Sequence, residues 1–148
     1  MRKLVLFFAI LTTVLQIKAA EELVWTTDLP KAEAQAKQEH KLVWLEFSGS
    51  DWCPRCILME KEVFAKPEFI DYAQKNLVMV LLDFPEKKKL SEDLVKKNEA
   101  LQEKYKVTEY PTIFIFNSMG KKVGELGYVE GGPQAYIAKL EKLRSKNK

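Results

Sequence analysis

The sequence predicts an α/β fold in which helices cover both faces of a mixed β-sheet. Two runs have the length and composition of buried strands: residues 42–47, which are apolar except for Glu46, and residues 77–82, which are apolar throughout. Helix-forming segments lie between them, and a strand–turn–strand pattern over residues 111–128 precedes a last helix. A β-α-β unit followed by a hairpin and a helix indicates one mixed sheet between two helical layers.

The individual elements can be assigned in chain order. Asp28 can cap a first helix over residues 31–40, and Pro30 fits its first turn. Further helices are predicted from residue 53 to about 65, from residue 67, over residues 91–105 and after residue 133. Strands are predicted over residues 42–47, 77–82, 111–116 and about 121–128, with residues 117–120 as the turn of the hairpin.

Residues 1–20 have the pattern of a secretory signal peptide. A positively charged start precedes an apolar run that ends by Ile17, and Ala19 and Ala20 offer small residues for cleavage. The run is shorter than the roughly 20 residues that span a bilayer, which makes an uncleaved anchor the less favoured alternative. We therefore expect one exported, periplasmic domain over residues 21–148.

The charge of the chain argues against nucleic-acid binding, and its length indicates a single domain. The chain has 24 basic and 21 acidic residues, but three of the basic residues and none of the acidic ones lie in the predicted signal peptide. The remaining 128 residues are formally neutral, so they carry no electrostatic footprint for nucleic acid. Their number suits a single domain with its own core.

Both cysteines lie in the stretch of residues 48–56, between a predicted strand and a predicted helix. A helix N-terminus carries partial positive charge and unpaired N–H groups, which stabilise a thiolate on Cys53. Cys56 lies one turn further into the helix and can close a disulfide onto Cys53. The pair is therefore predicted to act as a two-electron switch.

A structural disulfide or half of a zinc site is the alternative for this pair. Exported domains that depend on disulfides usually carry several, and a bridge that closes so small a loop adds little stability. Structural zinc usually needs four protein ligands, and His40 is the only histidine in the chain. The redox interpretation is favoured, and it requires no metal or organic cofactor.

These motifs resemble those of the thioredoxin superfamily. The resemblance rests on Trp52, Cys53 and Cys56 after a strand, together with Tyr-Pro-Thr at residues 110–112 before a later strand. The Gly-Ser-Asp-Trp-Cys lead-in and the exported, single-domain size are most similar to bacterial thioredoxin-like disulfide reductases, including the DsbH-like proteins and the C-terminal domain of DsbD. The resemblance implies a thioredoxin-like fold and thiol–disulfide exchange.

The resemblance also implies roles for individual residues. Cys53 would be the exposed nucleophile that forms a mixed disulfide with the substrate, and Cys56 would resolve it. Trp52 would shield the site and offer the substrate an apolar platform, with simple core packing as its alternative. Pro111, preceded by Tyr110, would be a cis-proline that faces the cysteines and exposes backbone for strand-like pairing with the substrate.

Glu46 interrupts an otherwise apolar strand, seven positions before Cys53. The resemblance implies a buried carboxylate that takes a proton from the resolving cysteine, although this spacing is one residue longer than in thioredoxins. An extra residue in the turn of residues 48–50 would place Glu46 under Cys56. Burial would raise its pKa and suit a general base; the alternative is an ordinary charge that points outward.

The dipeptide between the cysteines leaves the direction of electron flow open. Pro54-Arg55 differs from the Gly-Pro of thioredoxin and is closer to the Pro-His of the oxidase DsbA. A cationic Arg55 would favour the Cys53 thiolate and make the disulfide more oxidising; alternatively it points to solvent or contacts a partner. Only 54 residues separate Cys56 from Pro111, too few for the helical insertion of DsbA-type enzymes.

Three functions follow from these observations. The favoured one is a monomeric periplasmic reductase of disulfides in exported proteins, kept reduced by a DsbD-like electron donor in the membrane. The second is an oxidase or isomerase, although no dimerisation segment of the kind that benefits an isomerase is evident. The third is a non-enzymatic binding module in which the cysteines only brace the helix.

Overall fold

The computed structural model describes residues 22–146, so the predicted signal peptide lies outside the described residues. The strands are β1 (Trp25–Thr26), β2 (Leu42–Ser48), β3 (Leu77–Asp83), β4 (Thr112–Phe116) and β5 (Lys122–Leu126). The helices are α1 (Leu29–Glu39), α2 (Pro54–Met59), α3 (Pro67–Asn76), α4 (Glu92–Tyr105) and α5 (Gly132–Ser145). A π-helical turn, Glu60–Phe64, continues α2.

The strands form one mixed sheet in the order β1-β3-β2-β4-β5. β3 runs parallel to β1 and β2, whereas β4 runs antiparallel to β2 and β5. β2 pairs with β3 along its whole length, from Leu42 opposite Leu77 to Ser48 opposite Asp83. The predicted α/β class and mixed sheet are confirmed.

The central strand β2 contributes side chains to two hydrophobic cores, because successive side chains point to opposite faces of the sheet. Trp44 is fully buried with the side chains of α2, α3 and α5, and its ring contacts Phe64, Phe69 and Tyr136. Leu45 lies on the opposite face with the buried residues of α1. Both faces of β2 are therefore packed against helices, and this packing fixes the position from which the following residues start.

Two elements differ from the sequence-based expectation. β1 was not predicted, because its two residues are too short to show a strand pattern; it pairs Trp25 with Met79 at the edge of the sheet. α1 begins two residues earlier than predicted, although Asp28 caps it as expected and accepts a hydrogen bond from the Lys31 N–H at 3.0 Å.

Within residues 22–146, every helix is too short or too polar to cross a membrane.

Candidate active site

Cys53 and Cys56 lie where the chain passes from β2 into α2. Cys53 is the N-cap of α2, and its Sγ accepts a hydrogen bond from the Cys56 N–H at 3.2 Å. Pro54 occupies the first turn of the helix, where its fixed φ suits the backbone and no N–H is required. The two sulfurs are joined in a disulfide. The structure therefore shows the oxidised form of the predicted redox pair.

Cys53 is covered in this oxidised form. Only 4% of the residue is exposed, and its Sγ lies 3.6 Å from the carbonyl oxygen of Tyr110. The expectation of an exposed Cys53 is therefore wrong for the disulfide state. The cover comes from a segment 57 positions further along the chain, which no local sequence pattern places there. A reduced Cys53 thiol would find this carbonyl within reach as a hydrogen-bond acceptor.

The segment that covers Cys53 contains a cis peptide bond between Tyr110 and Pro111. Pro111 is buried at the start of β4, and the hydroxyl of Thr112 donates a hydrogen bond to the Glu109 carbonyl at 2.8 Å. The Tyr110 hydroxyl accepts a hydrogen bond from the Gln102 side-chain amide at 2.6 Å. The structure thus brings the two predicted motifs together, with the Tyr110 backbone facing the cysteines.

Trp52 lies at the surface beside Cys53 and is not a core residue, since 38% of it is exposed. Its indole N–H donates to the carbonyl oxygen of Phe84 at 2.8 Å. The ring meets Tyr110 edge to face at 5.7 Å between centroids. Its inner edge lies against Gly49, where an added Cβ would come within 2.5 Å of the indole. The ring is therefore held in one orientation while its outer face remains open.

Glu46 is buried, and the alternative of an outward-pointing charge is wrong. Only 2% of the residue is exposed, and its carboxylate accepts a hydrogen bond from the indole N–H of Trp44 at 3.0 Å. Residues 44 and 46 share the face of β2 that α2 covers. Burial raises the pKa of Glu46 to about 7, against the opposing hydrogen bonds from Trp44 and Ser48.

Two further carboxylates influence Glu46. The negative charges of Glu60 and Asp83 raise its pKa further, although less than burial does. Glu60 follows Cys56 by one helical turn, and partial burial raises the pKa of Glu60 as well. The buried end of the site therefore contains a carboxyl group that changes protonation state near neutral pH.

The dipeptide between the cysteines is exposed to solvent. The hydroxyl of Tyr128 donates a hydrogen bond to the Glu62 carboxylate at 3.0 Å. The positive charge of Arg55 also acts on Tyr128. That hydrogen bond raises the pKa of Tyr128, and Arg55 opposes the rise. Arg55 thus acts on a residue that follows β5. Within residues 22–146, no cluster of three or more potential metal-ligating side chains is present.

Comparison with known proteins assigns the family. A family model for a thioredoxin-like domain matches residues 29–144. The chain belongs to the thioredoxin-like family. It is 37% identical to the disulfide bond reductase DsbH of Chlamydia pneumoniae over 123 residues, which are 83% of this chain and 74% of that protein.

Solved structures of this family show the same architecture. A DsbH oxidoreductase matches with a TM-score of 0.78 and 34% identity, over 94% of this chain and 95% of that one. The oxidised C-terminal domain of DsbD from Neisseria meningitidis matches with a TM-score of 0.56 and 24% identity, over 77% and 91% of the two chains; this second likeness shows the fold. The resemblance drawn from the sequence is confirmed, and the chain is a thiol–disulfide oxidoreductase.

Sequence reasoning missed two acidic residues of this thioredoxin-like site. Asp83, at the end of β3, accepts hydrogen bonds from the Ser50 N–H at 3.0 Å and the Ser50 hydroxyl at 2.7 Å. Asp51 accepts three backbone hydrogen bonds from residues 86–88. An acidic residue that directly follows an apolar strand is a weak signal for Asp83, and nothing in the local pattern indicates the partners of Asp51.

Proposed function

We propose that the protein reduces disulfides of exported proteins outside the cytoplasm, by cycling Cys53 and Cys56 between dithiol and disulfide. The observation that carries the proposal is the Cys53–Cys56 disulfide at the start of α2, next to the Tyr110 carbonyl. The similarity to a protein named as a disulfide bond reductase supports the direction. The signal peptide expected over residues 1–20 supports the location.

The reaction begins with the reduced protein. The Cys53 thiolate attacks one sulfur of a substrate disulfide, and the other substrate sulfur leaves as a thiolate. Cys56 then attacks Cys53 Sγ, which breaks the mixed disulfide, releases the second substrate thiolate and forms the disulfide seen here. Two electrons pass from the protein to the substrate. The Cys56 N–H, 3.2 Å from Cys53 Sγ, would stabilise the attacking thiolate.

Glu46 would serve the second step as a general base. Cys56 must lose its proton before it can attack, and an acceptor works best when its pKa lies near the working pH. The raised pKa of Glu46, about 7, meets this requirement. Glu46 and Cys56 are both buried, with exposed fractions of 2% and 4%, so bulk solvent would be a poor proton acceptor for the Cys56 thiol.

Substrate would bind across the surface formed by Trp52, Tyr110 and Pro111. The exposed indole face of Trp52 offers apolar contact to a polypeptide. The backbone at residues 110–111 is not paired within the sheet, since β4 begins at Thr112, so it would pair with an extended substrate segment. Arg55, exposed on α2, would contact the substrate or tune the Cys53 thiolate.

Each turnover leaves the protein oxidised, so a donor must reduce Cys53–Cys56 again. We propose a membrane-bound DsbD-like protein as that donor and a monomer as the working form. An electron donor of this kind must have a more negative reduction potential than its acceptor for net flow in this direction.

Cys56→Ser is expected to trap the substrate. Cys53 of this variant still attacks, but nothing resolves the intermediate, so the Cys53–substrate disulfide accumulates. Incubation with insulin should give an adduct of one insulin molecule per protein molecule, visible by mass spectrometry and removed by dithiothreitol. The double variant Cys53→Ser/Cys56→Ser is the matched control and should give none. No adduct with the single variant would contradict the proposed cycle.

A further inference from the structure

Two segments meet beside the cysteines and are joined by a dense set of hydrogen bonds. We call residues 49–52, which follow β2, the active-site turn and residues 84–88, which follow β3, the β3 loop. The Phe84 N–H donates to the Ser48 carbonyl at 2.8 Å, and the Asp83 carboxylate holds Ser50 through two hydrogen bonds. These bonds fix the first part of the β3 loop, which directly follows β3.

The distal part of the β3 loop is held by Asp51. Its Oδ1 accepts the N–H of Glu86 at 2.9 Å, and its Oδ2 accepts the N–H of Lys87 at 2.8 Å and of Lys88 at 2.9 Å. Three successive backbone N–H groups therefore surround one carboxylate, an arrangement that favours a negative charge. The same hydrogen bonds, that of Glu86 foremost, hold the pKa of Asp51 below its usual range.

The β3 loop in turn positions the residues that line the proposed substrate surface. The Phe84 carbonyl accepts the Trp52 indole N–H at 2.8 Å. The Phe84 ring stacks on the ring of Tyr110, the residue before the cis-proline, with 5.3 Å between the ring centroids. Both aromatic residues next to Cys53 thus depend on the location of Phe84.

We propose that Asp51 is a positioning residue: its carboxylate holds the β3 loop against the active-site turn and thereby fixes Trp52 in the surface that binds polypeptide substrates. This inference deepens the proposed function and rests on it. Asp51 does not touch the reacting sulfurs; it acts through the loop. Loss of the Asp51 carboxylate should therefore slow the reduction of a protein disulfide more than that of a small disulfide, which does not need the surface around Trp52.

Asp51→Asn is the first test. The amide offers one acceptor oxygen to three N–H groups and turns its own NH₂ group toward them, so at least one hydrogen bond is lost. We expect kcat/KM for insulin to fall about tenfold, the equivalent of one charge-assisted hydrogen bond, mainly through a higher KM. The rate with hydroxyethyl disulfide should change less than about twofold, and the Trp52 indole N–H should lose protection from hydrogen exchange in NMR spectra.

Two further variants separate positioning from general loss of stability. Asp28→Ala removes a side-chain to backbone hydrogen bond of similar length at the start of α1, away from the site, and should leave KM and the indole signal unchanged. Gly49→Ala displaces the Trp52 ring directly, because the new Cβ would lie 2.5 Å from it. It should reproduce the KM defect with the Asp51 hydrogen bonds intact.

The outcomes are distinct. Asp51→Asn with an unchanged insulin KM and an unchanged indole signal would overturn the proposal, as would equal slowing of both disulfides. Asp51→Ser, made in parallel, replaces Asp51→Asn if that variant fails to fold. If the unmodified protein reduces neither disulfide, the proposed function fails, while the indole exchange measurement still supports or overturns the positioning by Asp51.

Discussion

Replacement of Cys53 by serine is expected to abolish reduction of insulin disulfides while the fold is retained. A serine hydroxyl remains protonated and does not attack a disulfide, and the chain contains no cysteine besides Cys53 and Cys56. Loss should reach the background rate of dithiothreitol alone, measured as the turbidity of precipitating insulin chains.

The comparison is cleanest under reducing conditions, where the unmodified protein also lacks the Cys53–Cys56 bridge. Thermal unfolding midpoints of Cys53→Ser and of the unmodified protein should then agree closely, because a sulfur and an oxygen at the N-cap of α2 can both accept the Cys56 N–H. Reduction of insulin by Cys53→Ser would contradict the assignment of the nucleophile. Unchanged biological function of this variant would favour the non-enzymatic binding module.

Replacement of Glu46 by glutamine is expected to change how stability depends on pH. Burial raises the pKa of Glu46 from 4.5 to about 7 in the folded protein. Between these values the folded state binds more protons than the unfolded state, so the unmodified protein loses stability as pH rises from about 4.5 to 7. Each unit of pKa shift corresponds to about 1.36 kcal/mol, so the loss of unfolding free energy approaches about 3 kcal/mol and stays constant at higher pH.

Glu46→Gln has no such loss, because its amide carries no charge and its oxygen can still accept the Trp44 N–H. Unfolding free energies of the oxidised proteins in urea should therefore favour the variant by about 3 kcal/mol more at pH 8 than at pH 4. Glu60, Asp83 and Tyr136, the other ionisable groups that interact with Glu46, are present in both proteins, so the comparison changes only the Glu46 carboxyl group. Glu103→Gln, on the exposed side of α4, is the control. A difference independent of pH would contradict the buried carboxylate.

The sequence predicted the parts of the site that depend on local patterns. The apolar runs marked β2 and β3, and the spacing of Cys53 and Cys56 at a helix start marked the redox pair. Pro111 could be added because the resemblance to the thioredoxin superfamily implies a proline of the site before a later strand. The structure contains these features because each is specified by a few neighbouring residues.

Other parts could not be predicted because they depend on contacts between distant segments. The cover over Cys53 comes from Tyr110, and the hydrogen bonds of Asp51 reach 35 to 37 positions along the chain. Residues 42–47 are apolar on both faces of the strand apart from Glu46, so the pattern does not reveal which face is buried, and the burial of Glu46 stayed undecided. The two residues of β1 carry too little pattern to be detected.

The reduction potential of Cys53–Cys56 tests the central claim most directly. It is measured by equilibrating the protein with defined mixtures of reduced and oxidised glutathione and quantifying the disulfide. A reductase should give a value near that of thioredoxin, about −270 mV. A value near that of DsbA, about −120 mV, would mean that Arg55 and the start of α2 stabilise the reduced form, and it would contradict the proposed direction in favour of an oxidase.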